Sequence, residues 1–176
     1  MEPDFDVDLE ALEPLFREGQ QRFHPDRFAT HSATERRYSL EHVTRLNEAI
    51  RTLRDPLLRA EALLTLSGRS VGSESGGAAP QDPMFLMESM ELREQLEEVD
   101  ISADDAQDRL DHLGRDVQQR ISAEMETIST AWKTERESPS DTNLESIAGA
   151  IDRMRYHRRF LEEVDRMEEA LFEEMG

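Results

Sequence analysis

The residues with the clearest chemical potential are His24, Pro25 and Asp26, which follow one another between two helical segments. A histidine and an aspartate this close could act as a general acid–base pair. Proline keeps His24 out of the α region, so a helix must end there, and we expect the two side chains to point apart. No Ser or Cys nucleophile accompanies them. The triplet predicts a stiff loop that presents an acid; the alternative is an ordinary turn in which Asp26 caps the next segment.

Metal or thiol chemistry finds little support in the sequence. There are no cysteines, which excludes disulfides, thiolate catalysis and clusters ligated by this chain's own sulfur. The other histidines lack the spacing and the carboxylate neighbours of a metal site; they are His31, His42, His112 and His157. We therefore expect no cofactor, no bound metal and no enzymatic activity. A metal-dependent hydrolase that uses His24 and nearby carboxylates is the alternative from a different functional class.

The formal charge of −19 argues against nucleic acid or an anionic membrane as the main partner. The charge is also unevenly distributed, because residues 15–60 contain nine arginines against six acidic residues. This asymmetry predicts two surfaces that meet two different partners. The alternative for the total charge is that it reflects only the general acidity of the proteins among which this chain occurs.

Three helices are predicted in the first part of the chain: residues 9–23, residues 34–53, and residue 56 to near residue 68. Asp8 is the expected N-cap of the first, although Pro14 could instead be its first residue. Asp55 and Pro56 are typical of an N-cap and a first helical position, so the third helix has a clear start. The stripe expected to be buried on that helix is Leu57, Ala60, Leu63 and Leu64. Together these helices predict a hairpin-based unit.

A segment rich in Gly and Ser, residues 68–81, predicts a flexible linker between two domains, residues 1–67 and 82–176. Three more helices are expected after it. The first covers about residues 84–99, after Asp82 as N-cap and Pro83 as first position; the second covers residues 103–135 with Ser102 as N-cap, and the last begins at residue 144. Their near-heptad apolar spacing and short connections predict an antiparallel three-helix bundle, in which Trp132 lies in the core or at its rim. The predicted fold class is therefore all-α.

Several segments resemble a known family. The loop of residues 24–26 after an Arg/Gln-rich helix resembles the J domain of DnaJ-type co-chaperones, and residues 46–60 (LNEAIRTLRDPLLRA) are similar to the end of that family's third helix. More narrowly, residues 55–64 (DPLLRAEALL) and 85–94 (FLMESMELRE) resemble the HscB family, the J-proteins of iron–sulfur cluster assembly. The resemblance extends over essentially the whole chain from Asp8 onward.

The resemblance implies that this chain is a co-chaperone that stimulates the ATPase of an HscA-like Hsp70 partner. The residues implied to bind the Hsp70 are His24, Pro25 and Asp26 in the loop, and Arg17, Arg22 and Arg27 on the basic helix face. Hydrolysis would take place in the partner, so the loop needs no tuned general base. A charge-complementary helix face would steer the encounter between the two proteins.

The resemblance also implies that the second domain binds an IscU-like iron–sulfur scaffold protein and delivers it to the Hsp70. The contacts carried over by position are Leu86, Met87, Met90, Glu91, Glu94, Glu98 and Tyr156. The helix also needs core positions, so Phe85, Leu86, Met90 and Leu92 cannot all be exposed. Spacing places Met87, Met90, Glu91 and Glu94 on one face. The alternative is a J-protein with another client, whose bundle is a spacer or a dimeriser.

One departure from the family concerns the start of the printed sequence. The family opens with a short helix that packs against the third helix of the J unit, and we find no such helix before Asp8. We expect either that Phe5 and Val7 cover part of that surface or that the printed sequence is truncated before the opening helix. The acidic first residues fit neither a signal peptide nor a transit peptide, so the expected location is the cytoplasm.

Overall fold

The computed structural model describes residues 3–69 and 82–175, and these residues contain helices and no strand, so the all-α prediction is confirmed. The helices, in chain order, are α1 (Leu9–Phe23), a short 3-10 helix (Pro25–Phe28), α2 (Ala33–Arg54), α3 (Pro56–Leu66), α4 (Pro83–Glu97), α5 (Ala106–Glu137) and α6 (Asp141–Met175). Of the predicted linker, residues 70–81 lie outside the described residues. Within the described ranges no helix is both long enough and apolar enough to cross a membrane.

Side-chain caps explain where several helices begin. The Asp8 carboxylate accepts a hydrogen bond from the Ala11 amide at 3.0 Å, and α1 runs on through Pro14 instead of starting there. At α2, Ser32 and Glu35 form a reciprocal capping box. The Asp-Pro pairs before α3 and α4 behave as predicted, with aspartate as N-cap and proline in the first turn.

The predicted start of the fifth helix is wrong. Ser102 is not its N-cap, because the Ser102 amide and hydroxyl both donate to the Asp100 carboxylate, at 3.0 and 2.7 Å. These bonds hold a turn in which the Ala103 amide donates to the carbonyl of Asp100. The helix therefore begins only at Ala106, without a side-chain cap hydrogen bond.

The long helices α5 and α6 are antiparallel, since Glu124 pairs with Arg153 at 2.7 Å while Glu135, further along α5, bonds to Asn143 near the start of α6. Two apolar clusters lie along this pair. One contains residues of α4, with Leu92 and Leu96 packed near Leu110, Phe160 and Val164. Trp132 is buried in the other, as expected.

The third helix joins the bundle core. Its predicted stripe is buried, as Leu57, Ala60, Leu63 and Leu64 are each at most 5% exposed. This stripe packs with Ile128 of α5 and with Ile147, Ile151 and other residues of α6, and α3 also contacts α2. We predicted α3 only as part of the hairpin unit; its apolar face in fact completes one end of the bundle. The division of the chain into two folding units stays a prediction.

Residues 3–8 form no helix, but Phe5 is 2% exposed and lies in the same cluster as Leu57 and Ala60. The Arg59 guanidinium sits over its ring at 4.9 Å from the centroid. Val7 is half-buried. Phe5 thus covers part of α3, as we expected of it.

Candidate functional site

The loop between α1 and α2 is exposed and interrupts the helices. His24 ends α1 with φ −57° and ψ 130°, outside the helical region, as expected of a residue before proline. The chain then makes one turn of 3-10 helix, in which the Arg27 amide donates to the His24 carbonyl at 3.0 Å. Pro25 and Asp26 are exposed, and the Asp26 side chain retains 91% of its accessible surface. The loop can therefore present its carboxylate to another protein.

His24 and Asp26 do not point apart as we expected. The turn folds the imidazole over the next residues, so Nδ1 accepts the Asp26 amide at 3.3 Å and lies 3.6 Å from the Asp26 carboxylate. Proline fixes the backbone before the turn but does not prevent this approach of residues two apart. Because the Nδ1 lone pair already accepts the amide, a neutral His24 carries its proton on Nε2 and donates none to Asp26 from Nδ1. The contact shapes the loop and gives no sign of a catalytic dyad.

Three side chains outside the predicted binding residues hold this loop against α2. Ser39 is 1% exposed, and its hydroxyl donates to the carbonyl of Phe23 at 2.6 Å. The Phe23 ring stacks on His42 with centroids 4.7 Å apart. Since Phe23 immediately precedes the loop, these contacts fix the direction in which α1 ends.

Replacing Ser39 by alanine is expected to lower the free energy of unfolding by about 1–3 kcal/mol, because a partly buried carbonyl loses the hydroxyl that donates to it. Urea denaturation followed by circular dichroism measures this change. Ser122→Ala is the matched control, since the Ser122 hydroxyl donates to the Gln118 carbonyl of its own exposed helix surface. Equal losses in the two variants would contradict a special role for Ser39.

Of the three arginines predicted to bind an Hsp70, two lie together. Arg17 and Arg27 line a shallow groove with His24, Gln20 and Gln21. Arg27 also donates to the carbonyl of Gln21 at 3.2 Å. Arg22 is not part of this groove, because its guanidinium lies over the ring of Phe23, 5.5 Å from the centroid. The structure thus forms a basic groove beside the loop.

The second predicted surface is one side of α4, which we call the α4 face and define as Leu86, Met87, Met90, Glu91 and Glu94. All five are exposed, and the exposed fractions of Met87 and Met90 are 58% and 72%. The core positions of the helix are instead Phe85, Leu92 and Leu96. Met84, 64% exposed, extends the apolar part of this surface by one turn and was not among the predicted residues.

The last two predicted residues of this surface differ from the α4 face in their surroundings. Glu98 is exposed at the end of α4, with its carboxylate 4.0 Å from Arg109. Tyr156 is half-buried beneath α4: its hydroxyl donates to the Ser89 carbonyl at 2.8 Å, and its ring meets Phe85 edge-on at 5.3 Å. Tyr156 therefore supports α4 from below.

A buried histidine lies next to this support. His157 is 2% exposed and packs against the rings of Phe85 and Tyr156, and its Nδ1 has no hydrogen-bond partner among the described residues. Burial lowers the pKa of His157 from its ordinary value of 6.5 to about 4. The imidazole is therefore neutral in the folded chain near neutral pH.

His157 is expected to weaken the fold in acid. Between pH 6.5 and about 4, His157 binds a proton in the unfolded chain but not in the folded chain. The free energy of unfolding therefore falls by about 3 kcal/mol as the pH is lowered through this window, and above pH 6.5 His157 causes no such loss. Urea midpoints at pH 7.5 and 4.5 measure this, with His157→Leu as comparison. As the pH falls, the urea midpoint of His157→Leu should decrease less than that of the unmodified chain. An equal decrease in both proteins would contradict the low pKa of His157.

No group of His, Cys, Asp or Glu side chains suited to a metal ion occurs among residues 3–69 and 82–175. The features that the site does offer are an exposed acid on a fixed loop, a basic groove beside it and a methionine-rich face on α4. All three are suited to contacts with other proteins.

Comparisons with known proteins agree on one family. Residues 81–165 match the family model described as the HSCB C-terminal oligomerisation domain. The chain is similar to the Co-chaperone protein HscB homolog of Vibrio vulnificus strain CMCP6, 34% identical over 97% of this chain and 94% of the relative. It is also similar to the homolog of Colwellia psychrerythraea, 36% identical over 99% of this chain and 95% of the relative.

Solved structures show the same likeness. Chaperone HscB from Vibrio cholerae superposes with a TM-score of 0.77 at 33% identity, covering 97% of this chain and 94% of that one. Human co-chaperone protein HscB gives a TM-score of 0.80 at 26% identity, over 93% of this chain and 76% of the human chain. Sequence identity above 30% over nearly the full length shows that the chain belongs to the HscB family of co-chaperones.

Proposed function

We propose that this protein stimulates the ATPase of an HscA-like Hsp70 and delivers an IscU-like iron–sulfur scaffold protein to it. It carries out no chemistry itself, needs no cofactor and acts in the cytoplasm. The single observation that carries the proposal is the exposed Asp26 carboxylate on a loop fixed by Ser39 and Phe23. Family membership supports the same role.

The Hsp70 contact combines the loop with the basic groove. Within the described chain Asp26 pairs with no lysine or arginine, and its carboxylate lies 3.6 Å from the His24 imidazole. Arg17 and Arg27 offer positive charge beside it. An acidic patch on the Hsp70 would meet the groove and steer association, while the loop would make one buried ionic contact.

The scaffold contact uses the α4 face. Methionine side chains adapt to irregular apolar surfaces, and Glu91 and Glu94 form an acidic rim that selects a partner with basic groups around an apolar centre. The opposite side of α4 packs through Phe85 and Leu92 and accepts the hydrogen bond from Tyr156, so the α4 face is left free for a partner.

The test is steady-state ATP turnover by the cognate Hsp70. Adding this protein should raise turnover, and adding the scaffold protein as well should raise it further. Absence of any stimulation, with an Hsp70 shown to be active by another J-protein, would contradict the proposal.

A second candidate role for the bundle is self-association, since the matching family model is described as an oligomerisation domain. Sedimentation equilibrium separates the two roles. A monomer that binds the scaffold protein supports delivery. A dimer whose interface includes Met87 and Met90, and which does not bind the scaffold protein, supports self-association.

A further inference from the structure

The exposed methionines of this chain are concentrated on one side of α4. The sequence has eight methionines, and after Met1 none occurs before residue 84. Met84, Met87 and Met90 then follow at intervals of three residues, which are neighbouring positions on a helix surface. Their exposed fractions are 64%, 58% and 72%. Three thioether side chains are therefore open to solvent at the surface proposed to bind the scaffold protein.

The methionines of α5 and α6 that the structure describes are less accessible. Met154 is 2% exposed and lies in the core cluster with Ile128 and Trp132, while Met125 and Met167 are half-buried against the two clusters. The core positions of α4 itself are occupied by a phenylalanine and two leucines. A reagent that attacks exposed thioethers therefore reaches the α4 methionines first, and it alters no side chain at the core positions of α4.

The chemistry available to these side chains is oxidation of a thioether by a peroxide. A sulfur lone pair attacks one oxygen of hydrogen peroxide, the O–O bond breaks, and the sulfur becomes a sulfoxide while water leaves. Two electrons pass from the sulfur to the peroxide, so the sulfur is oxidised and the peroxide is reduced. The chain has no cysteine, so no thiol of its own competes for the oxidant. Methionine is thus the only kind of sulfur group that peroxide can oxidise in this chain.

Oxidation changes what the α4 face offers to a partner. A thioether is apolar and adapts to an irregular apolar surface. A sulfoxide instead carries a polar oxygen, which loses its hydrogen bonds to water when a partner covers it. The other side chains of the α4 face are one leucine and two glutamates, and ionised glutamate accepts hydrogen bonds but donates none. The face therefore contains no side-chain donor that could satisfy a buried sulfoxide.

We propose that Met84, Met87 and Met90 form an oxidation site, at which a peroxide makes the α4 face polar and thereby releases the scaffold protein. The site rests on the proposed function, because it regulates the same contact with the client. The Hsp70 contact is spared, since residues 9–54, which form α1, the loop and α2, contain no methionine. Oxidation therefore separates delivery of the client from stimulation of the Hsp70.

The modification is also reversible. Methionine sulfoxide reductases of the two stereospecificities return each sulfoxide to a thioether. The oxygen leaves as water, and a dithiol that supplies the two electrons becomes a disulfide. Because the core positions of α4 contain no methionine, we expect the fold to survive both steps, so the reduced chain should regain its affinity for the scaffold protein.

Mass spectrometry of the full chain after brief treatment with hydrogen peroxide tests the site. The three α4 methionines should each gain one oxygen atom well before the buried Met154 does. After catalase has removed the peroxide, the far-ultraviolet circular dichroism and Tm should match those of the untreated chain. Equal rates of oxidation at Met154 and at the α4 methionines would overturn the proposal.

Isothermal titration calorimetry with the scaffold protein measures the consequence. Oxidation of the three side chains should weaken binding by roughly tenfold or more, the loss expected from truncating a single central interface side chain. Treatment with both reductases and dithiothreitol should restore the original affinity. Unchanged affinity in a chain shown to carry the three sulfoxides would overturn the proposal. A loss that persists after the sulfoxides have been removed would do the same.

Two sets of leucine substitutions locate the effect. In the triple variant Met84→Leu, Met87→Leu and Met90→Leu, the affinity after peroxide should equal the affinity of that same variant before peroxide. Met125→Leu with Met167→Leu is the matched control, because it removes two half-buried sulfurs and keeps those of α4. The control should lose affinity as the unmodified chain does. An equal loss in the triple variant would assign the effect to other methionines and refute the oxidation site.

ATP turnover distinguishes failure of this site from failure of the proposed function. With the oxidised chain and an untreated Hsp70, stimulation by the protein alone should remain, while the additional stimulation by the scaffold protein should fall. If the additional stimulation is unchanged, oxidation does not regulate delivery. If even the untreated chain neither stimulates the Hsp70 nor binds the scaffold protein, the proposed function fails and its regulation with it, while the order of oxidation still reports on the methionines.

Discussion

Replacing Asp26 by asparagine is expected to remove most of the stimulation of the Hsp70 ATPase at the protein concentration that gives half-maximal stimulation with the unmodified chain. The change keeps the size and shape of the side chain and removes its charge. Loss of one partner of a buried interfacial ion pair costs about 2 kcal/mol or more. The concentration needed for half-maximal stimulation should therefore rise by roughly thirtyfold or more. Titration of ATP turnover measures it.

The fold itself should tolerate this change. The Asp26 side chain is 91% exposed, and in the described chain its carboxylate approaches only the imidazole of His24. The far-ultraviolet circular dichroism and Tm should stay as in the unmodified chain. Asp104→Asn, at another exposed position, is the matched control and should stimulate normally. Full stimulation by Asp26→Asn would remove the loop from the mechanism.

The helices were predictable because their signals are local. An Asp-Pro pair sets both the cap and the backbone angle of the first turn, so the starts of α3 and α4 follow from two residues each. The prediction of Ser102 as a cap was wrong because its hydroxyl donates to the Asp100 carboxylate instead. Helix propensity does not tell which of these two roles a serine takes. The apolar stripe of α3 was also predictable, but the helices that it packs against were not, since a stripe does not specify its partner.

The candidate site also contains features that were predictable from local sequence and features that were not. Exposure of the loop and of the α4 face follows from proline and from helical spacing. Ser39 was not predictable, because its hydroxyl bonds to a carbonyl sixteen residues earlier on another helix. Tyr156 was singled out by resemblance, and only the structure reveals its bond to the Ser89 carbonyl. The contacts that orient these surfaces are long-range in sequence, and one chain read alone carries no signal for them.

Truncating Met87 or Met90 to alanine is expected to weaken binding of the scaffold protein by roughly tenfold each, since a central interface side chain contributes about 1–2 kcal/mol. Both side chains are mostly exposed, so neither change leaves a cavity and Tm should hold. Isothermal titration calorimetry with the full chain measures the affinity. Met84→Ala, at the edge of the same surface, should have a smaller effect, because contacts near the rim contribute less than those at the centre.

A matched control separates this interface from general loss of apolar surface. Leu66, at the end of α3, is 71% exposed, nearly the same as Met90 at 72%, but lies on a different helix. Leu66→Ala should therefore bind the scaffold protein as the unmodified chain does. If Met87→Ala, Met90→Ala and Leu66→Ala all bind equally well, the α4 face does not hold the client, and the exposed methionines need another explanation. Selective loss with the two methionines places the client on α4, with the buried Phe85, Leu92 and Leu96 on the other side of that helix.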